Sequence, residues 1–93
     1  MKSLSKSLAN IEDAKQLIGC SGSVGANYIE AEESLSKKDF LMRIKISRKE
    51  AKESKYWLEL IEPKNDFVKD RDSLIREAIE LTKIFGAIVE NAK

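Results

Sequence analysis

The chain of 93 residues contains no histidine, one cysteine and one proline. Histidine is the side chain whose ordinary pKa lies closest to neutral pH, and it is also a frequent ligand of metals in proteins. Its absence removes the commonest residue for general acid–base catalysis and for zinc or di-iron sites. We therefore expect no enzymatic activity, no metal site and no cofactor.

The single cysteine, Cys20, has no second thiol in the chain with which to form a disulfide. A signal peptide and a long apolar run are also lacking. These absences are consistent with a reduced cytoplasm and give no support for membrane insertion, so we expect a cytoplasmic protein. Cys20 lies among small residues with no base or cation close by in sequence, which predicts a buried structural thiol.

The composition is typical of an all-α protein. Charged residues make up 35% of the chain, apolar residues 42% and aromatic residues only 6%. Ninety-three residues form one domain at most, and a domain of this size buries a modest core, so oligomerisation would add stability.

The segment from Asp39 to Ile61 is the longest strongly periodic run. Alternate steps of four and three residues select one row, here called the seam, which is apolar at both ends and small in the middle. Small side chains allow a neighbouring helix to approach closely, which predicts a bundle helix. The seam consists of Phe40, Ile44, Ser47, Ala51, Ser54, Leu58 and Ile61.

Start and stop signals divide the remainder of the chain. Asn10 with Asp13 predicts the start of a first helix, with residues 1–9 left as a frayed turn or a tail. Ser36 with Asp39 resembles a capping box for the second helix, and Pro63 ends that helix. The expected helices cover about 10–33, 37–61 and 70–92. Short connections between them predict an antiparallel up-and-down helical bundle.

Three glycines recur at every third position inside the first helix: Gly19, Gly22 and Gly25. Each lowers helix stability by about 1 kcal/mol relative to alanine, so a compensating role for the three glycines is expected. A phosphate-binding loop would require a preceding strand and a Lys-Ser/Thr pair after the last glycine, and neither is present. We therefore expect a small-residue face at which another helix crosses closely.

Four polar residues are predicted to lie between the first two helices. They could form a carboxylate cluster for two metal ions, but bundle sites of that kind use Glu-x-x-His, and histidine is absent. The alternative is a structural network of buried polar groups that fixes the register of the hairpin. The four residues are Asn27, Glu30, Glu50 and Glu53.

Positive charge is concentrated in the middle of the chain: residues 37–61 carry eight basic and four acidic groups. Several of the basic groups fall on the side of the helix opposite the seam. This basic face could neutralise nucleic-acid phosphates without regard to sequence, or it could serve only to keep the helix solvated. Its residues are Lys38, Lys45, Arg48, Lys49, Lys52 and Lys55.

The segment from Ser21 to Ile61 resembles the four-helix-bundle proteins named after intervening sequences of the large-subunit ribosomal RNA gene, the 23S rRNA-intervening sequence proteins. Three motifs carry the resemblance, S-I-x-A-N-x-x-E-A, S-K-x-D-F and K-E-A-x-E-[ST]-x-Y-W-L, and the likeness extends over roughly residues 15–92. The matching positions are Ser23, Val24, Ala26, Asn27, Glu30, Ala31, Ser36, Lys37, Asp39, Phe40, Lys49, Glu50, Ala51, Glu53, Ser54, Tyr56, Trp57 and Leu58.

Two departures accompany the resemblance. Members of the family usually have an additional amphipathic helix before the segment that begins here near Asn10, and we expect that helix to be lacking from the 93 residues. The arginine and serine or threonine often seen before the Ser-Ile step are replaced by Cys20, Ser21 and Gly22. We expect the bundle to be completed by oligomerisation.

The resemblance implies a non-enzymatic up-and-down bundle that assembles into a ring, typically a pentamer. A similar bundle serves retroelement reverse transcriptases as an accessory subunit with nucleic-acid affinity. Two functions follow as hypotheses. The first is a homo-oligomer that engages a nucleic acid, or a protein bound to one, through the basic face. The second is a protein–protein interaction module without nucleic-acid binding.

Overall fold

A computed structural model describes the backbone of residues 2–61 and 68–92, and the side chains of residues 11–61 and 68–92. These residues form three α-helices: α1 (Lys2–Glu32), α2 (Lys37–Leu60) and α3 (Val68–Asn91). They run up, down and up, so the expected all-α, up-and-down bundle is confirmed. The protein is a rod with extents of 53 × 20 × 15 Å. No described helix combines the length and apolar character that crossing a bilayer requires.

Helix α1 starts at Lys2, earlier than expected, so Asn10 is an interior residue of the helix and not its N-cap. The reason is that residues 2–10 contain no proline or glycine to stop a helix, and tertiary contacts further along stabilise the whole element. The glycines do not break α1 either, because no described glycine has a positive φ.

The ends of α2 follow the local sequence signals. Ser36 is in an extended conformation and its Oγ accepts a hydrogen bond from the backbone N–H of Asp39 at 3.1 Å, which confirms the predicted cap. At the other end, Ile61 donates its N–H to the carbonyl of Trp57 at 3.1 Å. Pro63, the predicted stop signal, lies outside the described residues.

Helix α3 begins two residues before the expected position, because Asp70 lies within its first turn and not ahead of it. An acidic residue is favourable anywhere in that turn, since it faces the positive end of the helix dipole. The sequence signal therefore locates the turn without fixing its first residue.

Helix α2 lies in the middle, with α1 and α3 packed along it. The middle of the predicted seam is buried, whereas Phe40 and Ile61 at its ends are half-buried. Ser47 is fully buried and donates a hydrogen bond to the carbonyl of Val24 at 3.3 Å, so this polar group has a partner. The five buried seam residues are Ile44, Ser47, Ala51, Ser54 and Leu58.

Helices α1 and α3 flank α2, and their backbones do not approach each other closely in the described part of the chain. Among the described residues, none of their Cα atoms lie within 8 Å of one another. Longer side chains do meet, since the rings of Tyr28 and Phe85 have centroids 6.2 Å apart. The helices thus occupy three corners of a four-helix arrangement, and the groove between α1 and α3 is here called the open corner. It is lined by Leu17, Val24, Tyr28, Leu74, Leu81, Ile84 and Ile88.

The prediction that another helix crosses α1 closely at its glycines is wrong for the described chain. A Cβ atom added to Gly19, Gly22 or Gly25 would meet no other heavy atom within 4 Å. No described helix therefore crosses α1 closely at these positions, because α2 contacts the opposite side of α1, where Cys20 and Ala31 are buried.

The substitution Ile44→Ala removes a side chain with 0% exposure from the core. We expect the free energy of unfolding to fall by about 2–5 kcal/mol, because the substitution loses apolar burial and leaves a cavity. Urea denaturation followed by circular dichroism measures the change. The control Leu35→Ala alters a fully exposed side chain and should change stability by less than about 0.5 kcal/mol. Equal losses would contradict the core position of Ile44.

Candidate nucleic-acid interface

The basic face of α2 lies on the side of the helix opposite the seam. Because α1 and α3 both pack on the seam side, the opposite side of α2 faces outward. Four of the six predicted residues are exposed there: Lys38, Lys45, Lys49 and Lys52. Three of them, Lys38, Lys45 and Lys49, line a shallow depression together with the apolar side chains of Leu41, Met42 and Ile46.

The other two basic residues, Arg48 and Lys55, are half-buried. Each lies close to another side chain or helix. The stem of Arg48 passes α3, where its Cδ would lie 4.0 Å from a Cβ atom added to Gly86. Lys55 Nζ lies 3.8 Å from Oε1 of Glu59, one helical turn further along α2, and both side chains are accessible to solvent. An exposed pair of this kind contributes little to stability. The predicted face is therefore a row of four cations without an ion-pair partner among the described residues, with two more cations at its edge toward α3.

The structure adds Lys83 of α3, which the sequence did not single out. Lys83 lines a depression between α2 and α3 together with Lys52, Lys55 and Tyr56. In sequence it is one of several charged residues on the polar side of α3, and nothing marks it as special. Only the packing of α3 beside the basic face brings it to the site.

An exposed aromatic side chain ends the row of cations. Tyr56 is 55% exposed, and its ring packs edge-on against that of half-buried Trp57, with centroids 5.0 Å apart. Trp57 thus supports Tyr56 from the side and leaves much of the phenol ring accessible. Bases stack on aromatic faces of this kind in proteins that bind single strands.

The charges on the face are poorly compensated within the chain. In the described residues, no carboxylate lies within 4.0 Å of the ammonium groups of Lys38, Lys45, Lys49 or Lys52. Lys45 and Lys49 are one helical turn apart, a spacing at which like charges destabilise a helix by about 0.2–0.5 kcal/mol. The arrangement suits an external polyanion better than it suits helix stability.

The predicted polar network is divided in the structure. Asn27 accepts a hydrogen bond from Arg43 Nη1 at 3.0 Å and donates to the carbonyl of Ser23 at 2.9 Å, so it does link α1 to α2. Glu30 is exposed and lines a depression at the hairpin end with Glu33 and Asp39. Neither residue meets Glu50 or Glu53, which corrects the expectation of one buried network. The physical reason is that Glu50 and Glu53 lie about two and about three turns further along α2 from the hairpin than Arg43 does.

Glu50 and Glu53 instead surround the buried thiol of Cys20. The thiol donates to Glu53 Oε2 at 3.5 Å. Burial, together with the two carboxylates, raises the pKa of Cys20 to about 11, because all of them disfavour the thiolate. Sγ and the two carboxylates lie within 4.8 Å of one another, which is a ligand-like spacing. A metal bound here would displace the thiol proton, and the raised pKa of Cys20 adds to the cost of that displacement.

The family relationship follows from comparison with known proteins. The model of the 23S rRNA-intervening sequence protein family matches residues 1–87. The chain belongs to this family. The resemblance inferred from the Ser-Lys-x-Asp-Phe and Tyr-Trp-Leu motifs is thereby confirmed.

A solved structure supports the family membership. It is a protein of unknown function from the S23 ribosomal protein family of Bacteroides thetaiotaomicron VPI-5482, and it is similar to this chain with 32% sequence identity and a TM-score of 0.73. The alignment covers 84% of this chain and 70% of that one. Among curated proteins, none matches this chain significantly. Neither the family name nor the solved neighbour indicates a catalytic activity.

The substitution Glu53→Gln should lower the pKa of Cys20 from about 11 toward its ordinary value of 9.0. It removes a negative charge that disfavours the thiolate, while the amide keeps the size of the side chain. The rate of alkylation by iodoacetamide, followed from neutral pH to about pH 12, reports the midpoint at which the thiol ionises. The control Glu59→Gln removes an exposed charge from the same helix and should leave that midpoint unchanged. The same midpoint in both variants would show that Glu53 does not act on the thiol.

Proposed function

We propose that the protein is a non-enzymatic helical module that forms a homo-oligomer and binds nucleic acid without sequence specificity through the basic face of α2. The observation that carries this proposal is the row of four exposed, uncompensated lysines on the side of α2 opposite the packed seam. From Lys38 to Lys52 the row extends about 21 Å along the helix. That length suits several successive phosphates of a nucleic-acid strand.

The chemistry of the face favours contacts to the nucleic-acid backbone. Lysine ammonium groups neutralise phosphates as point charges and release condensed counterions, so affinity depends steeply on salt. Arg48 is the only arginine of the face, and its stem is held against α3. Bidentate recognition of base edges, for which arginine is the usual residue, is therefore poorly provided for. Sequence-independent binding follows.

Tyr56 favours a single strand over a duplex. It is exposed beside Lys52, Lys55 and Lys83, so a base stacked on its ring would place the adjoining phosphate among cations. In a duplex, the bases are already stacked and cannot reach a side chain on a convex helix. Because the names of the family and of its solved relative refer to ribosomal RNA and a ribosomal protein, single-stranded RNA is the first probe to test.

Homo-oligomerisation would strengthen this binding. One face offers four exposed lysines, but several copies of the face on one assembly act together on one strand, and linked sites bind far more tightly than separate ones. The support for self-association is the apolar lining of the open corner, where Leu74, Leu81 and Ile84 are each 39–47% exposed.

The same open corner favours the second candidate function, a protein-interaction module without nucleic-acid binding. Amphipathic helices commonly bind in apolar grooves between helices. In that case the lysines of the basic face would only solvate the outer side of the bundle. The two functions differ in whether RNA is retained in a salt-dependent manner.

The double substitution Lys45→Glu/Lys49→Glu should abolish most of the binding to a single-stranded RNA in a gel-shift titration. Loss of two phosphate contacts should also reduce the slope of log K against log salt by about 1.4, at about 0.7 per contact for a single strand. The titration is made at low and at moderate salt.

The matched control is Lys15→Glu/Lys69→Glu, which makes the same change in net charge at exposed positions on α1 and α3. It should retain most of the affinity, since it leaves the basic face intact. If both double variants lose affinity for RNA equally, net charge and not the basic face is responsible. If both keep the affinity of the unmodified protein, the basic face does not bind RNA. If the unmodified protein shows no binding at low salt, the nucleic-acid function is rejected.

A further inference from the structure

The outer side of α2 carries exposed non-polar side chains in addition to its lysines. Met42 is 47% exposed and Tyr56 is 55% exposed. At about 100° per residue they lie within about 40° of each other around the helix, on the same side as Lys45, Lys49 and Lys52. Polar residues are expected on the solvent side of a bundle helix, so both positions are exceptions to the usual pattern. A ligand that contacts both would account for them.

These residues form one row along α2. In chain order the row is Met42, Lys45, Lys49, Lys52 and Tyr56, and successive members are three or four residues apart. Residues at that spacing are neighbours on a helix surface. The three lysines therefore fill the interval between the two non-polar positions. Such a row suits a ligand that is anionic in the middle and has a flat, weakly polar group at each end.

Met42 provides the first non-polar position. It lies in a shallow depression together with Leu41 and Ile46, which are half-buried and so held in place by packing. Thioethers make favourable contacts with aromatic rings, so a base lying over Met42 is well accommodated. Asp39 also lines the depression, but the positive end of the helix dipole in the first turn of α2 offsets its charge.

Tyr56 provides the second non-polar position. Its ring is supported edge-on by that of Trp57, with centroids 5.0 Å apart. Leu60, one turn further along and 43% exposed, widens the non-polar surface. Stacking on a ring of this kind tolerates any base, because every base has a π-face. Neither position therefore conflicts with sequence-independent binding.

The distance between the two positions selects the spacing of the bases. Met42 and Tyr56 are fourteen residues apart, which corresponds to about 21 Å along the helix axis. A stacked nucleotide rises about 3.4 Å, and a strand with its bases splayed apart spans about twice that distance per nucleotide, or about 7 Å. Three such steps cover the interval. Two bases three steps apart are joined by three phosphates, and three lysines lie between Met42 and Tyr56.

We propose that the basic face of α2 holds a single RNA strand in an extended form, with one base on Met42 and the third base after it on Tyr56. The three phosphates that join these two bases lie against Lys45, Lys49 and Lys52. The two intervening bases project away from the protein. This inference rests on the proposed function and specifies how the strand is bound.

Cations also flank this unit of four nucleotides. Lys38 lines the depression of Met42, and Lys55 and Lys83 line the depression beside Tyr56. They are placed to neutralise the next phosphate on each side. Affinity should therefore rise with strand length up to about six nucleotides for one face and change little beyond that length.

The separation of the two non-polar positions also decides the class of ligand. A helix that lies on a membrane buries a continuous apolar face along its length. In α2 the two positions are about 21 Å apart with cations between them, an arrangement that a lipid surface does not require. A duplex does not fit either, because its bases are stacked inside and cannot reach a convex helix.

The first experiment separates base spacing from charge. Two RNA strands of six nucleotides each carry two uracil bases, with abasic ribose at the other four positions. The bases are three steps apart in one strand and adjacent in the other. In a fluorescence-anisotropy titration at low salt, the strand with the three-step spacing should bind about tenfold more tightly, since only this strand stacks both bases.

The substitutions Met42→Ala and Tyr56→Ala should each reduce this ratio of affinities to about one, because one base position is then missing. The control Ile11→Ala shortens an apolar side chain that is 54% exposed on α1 and should leave the ratio at about ten. The two strands have equal charge, so a general loss of affinity does not change the ratio. A ratio that stays at about ten in either Met42→Ala or Tyr56→Ala overturns the proposal. If Tyr56→Ala loses its helical circular dichroism signal, Met42→Ala decides alone.

The second experiment observes Met42 directly. The chain has two methionines, Met1 and Met42, so labelling with methyl-¹³C methionine gives two methyl signals, and Met42→Ala identifies the one from Met42. The strand with the three-step spacing should move this signal upfield, because the methyl group lies over the face of an aromatic base. A fully abasic strand of the same length should move it much less. Equal shifts with the two strands overturn the base position at Met42.

The outcomes separate the arrangement of the strand from RNA binding itself. Equal affinity for the two spacings overturns the arrangement and leaves RNA binding by the basic face in place. The same conclusion follows if an intact single strand binds and neither two-base strand does. If no strand binds at low salt, both the arrangement and the nucleic-acid function are overturned.

Discussion

Burial of the narrow middle of α2 is the constraint on which the rest of the structure depends. Ile44 and Ser47 are completely buried and Ala51 is 1% exposed, so α1 and α3 both pack against one side of a single helix. Small side chains at Ser47 and Ala51 let the two neighbours approach, and the hydroxyl of Ser47 is satisfied by the carbonyl of Val24. A larger residue here would separate the flanking helices, because interiors of this density do not absorb added volume.

The outward direction of the basic face follows from the same constraint. A helix that is packed along one side leaves the opposite side to solvent, and in α2 that side holds the exposed lysines Lys38, Lys45, Lys49 and Lys52. Fold and proposed function are thus coupled through one element: the residues that hold the bundle together also fix the direction of the charges. Tyr56 and Lys83 extend the face toward α3 only because α3 packs beside it.

The open corner is the other consequence of three helices around one seam. In the described chain, α1 and α3 lie diagonal to each other and leave apolar side chains such as Leu81 and Ile84 half exposed between them. A domain of this size buries a modest core, so a further helix packed in this corner would add apolar burial and stability.

The sequence by itself determined the helical class, the seam, the cap at Ser36 and the side of α2 on which the lysines lie, because each depends on the spacing of residues within one element or on a local hydrogen bond. It also carried the family motifs. Only the tertiary structure decided that α1 begins at Lys2, that Asn27 pairs with Arg43 while Glu53 pairs with Cys20, and that Lys83 joins the basic face. These features depend on the relative level and rotation of neighbouring helices, which packing fixes and which periodicity within a single helix does not contain.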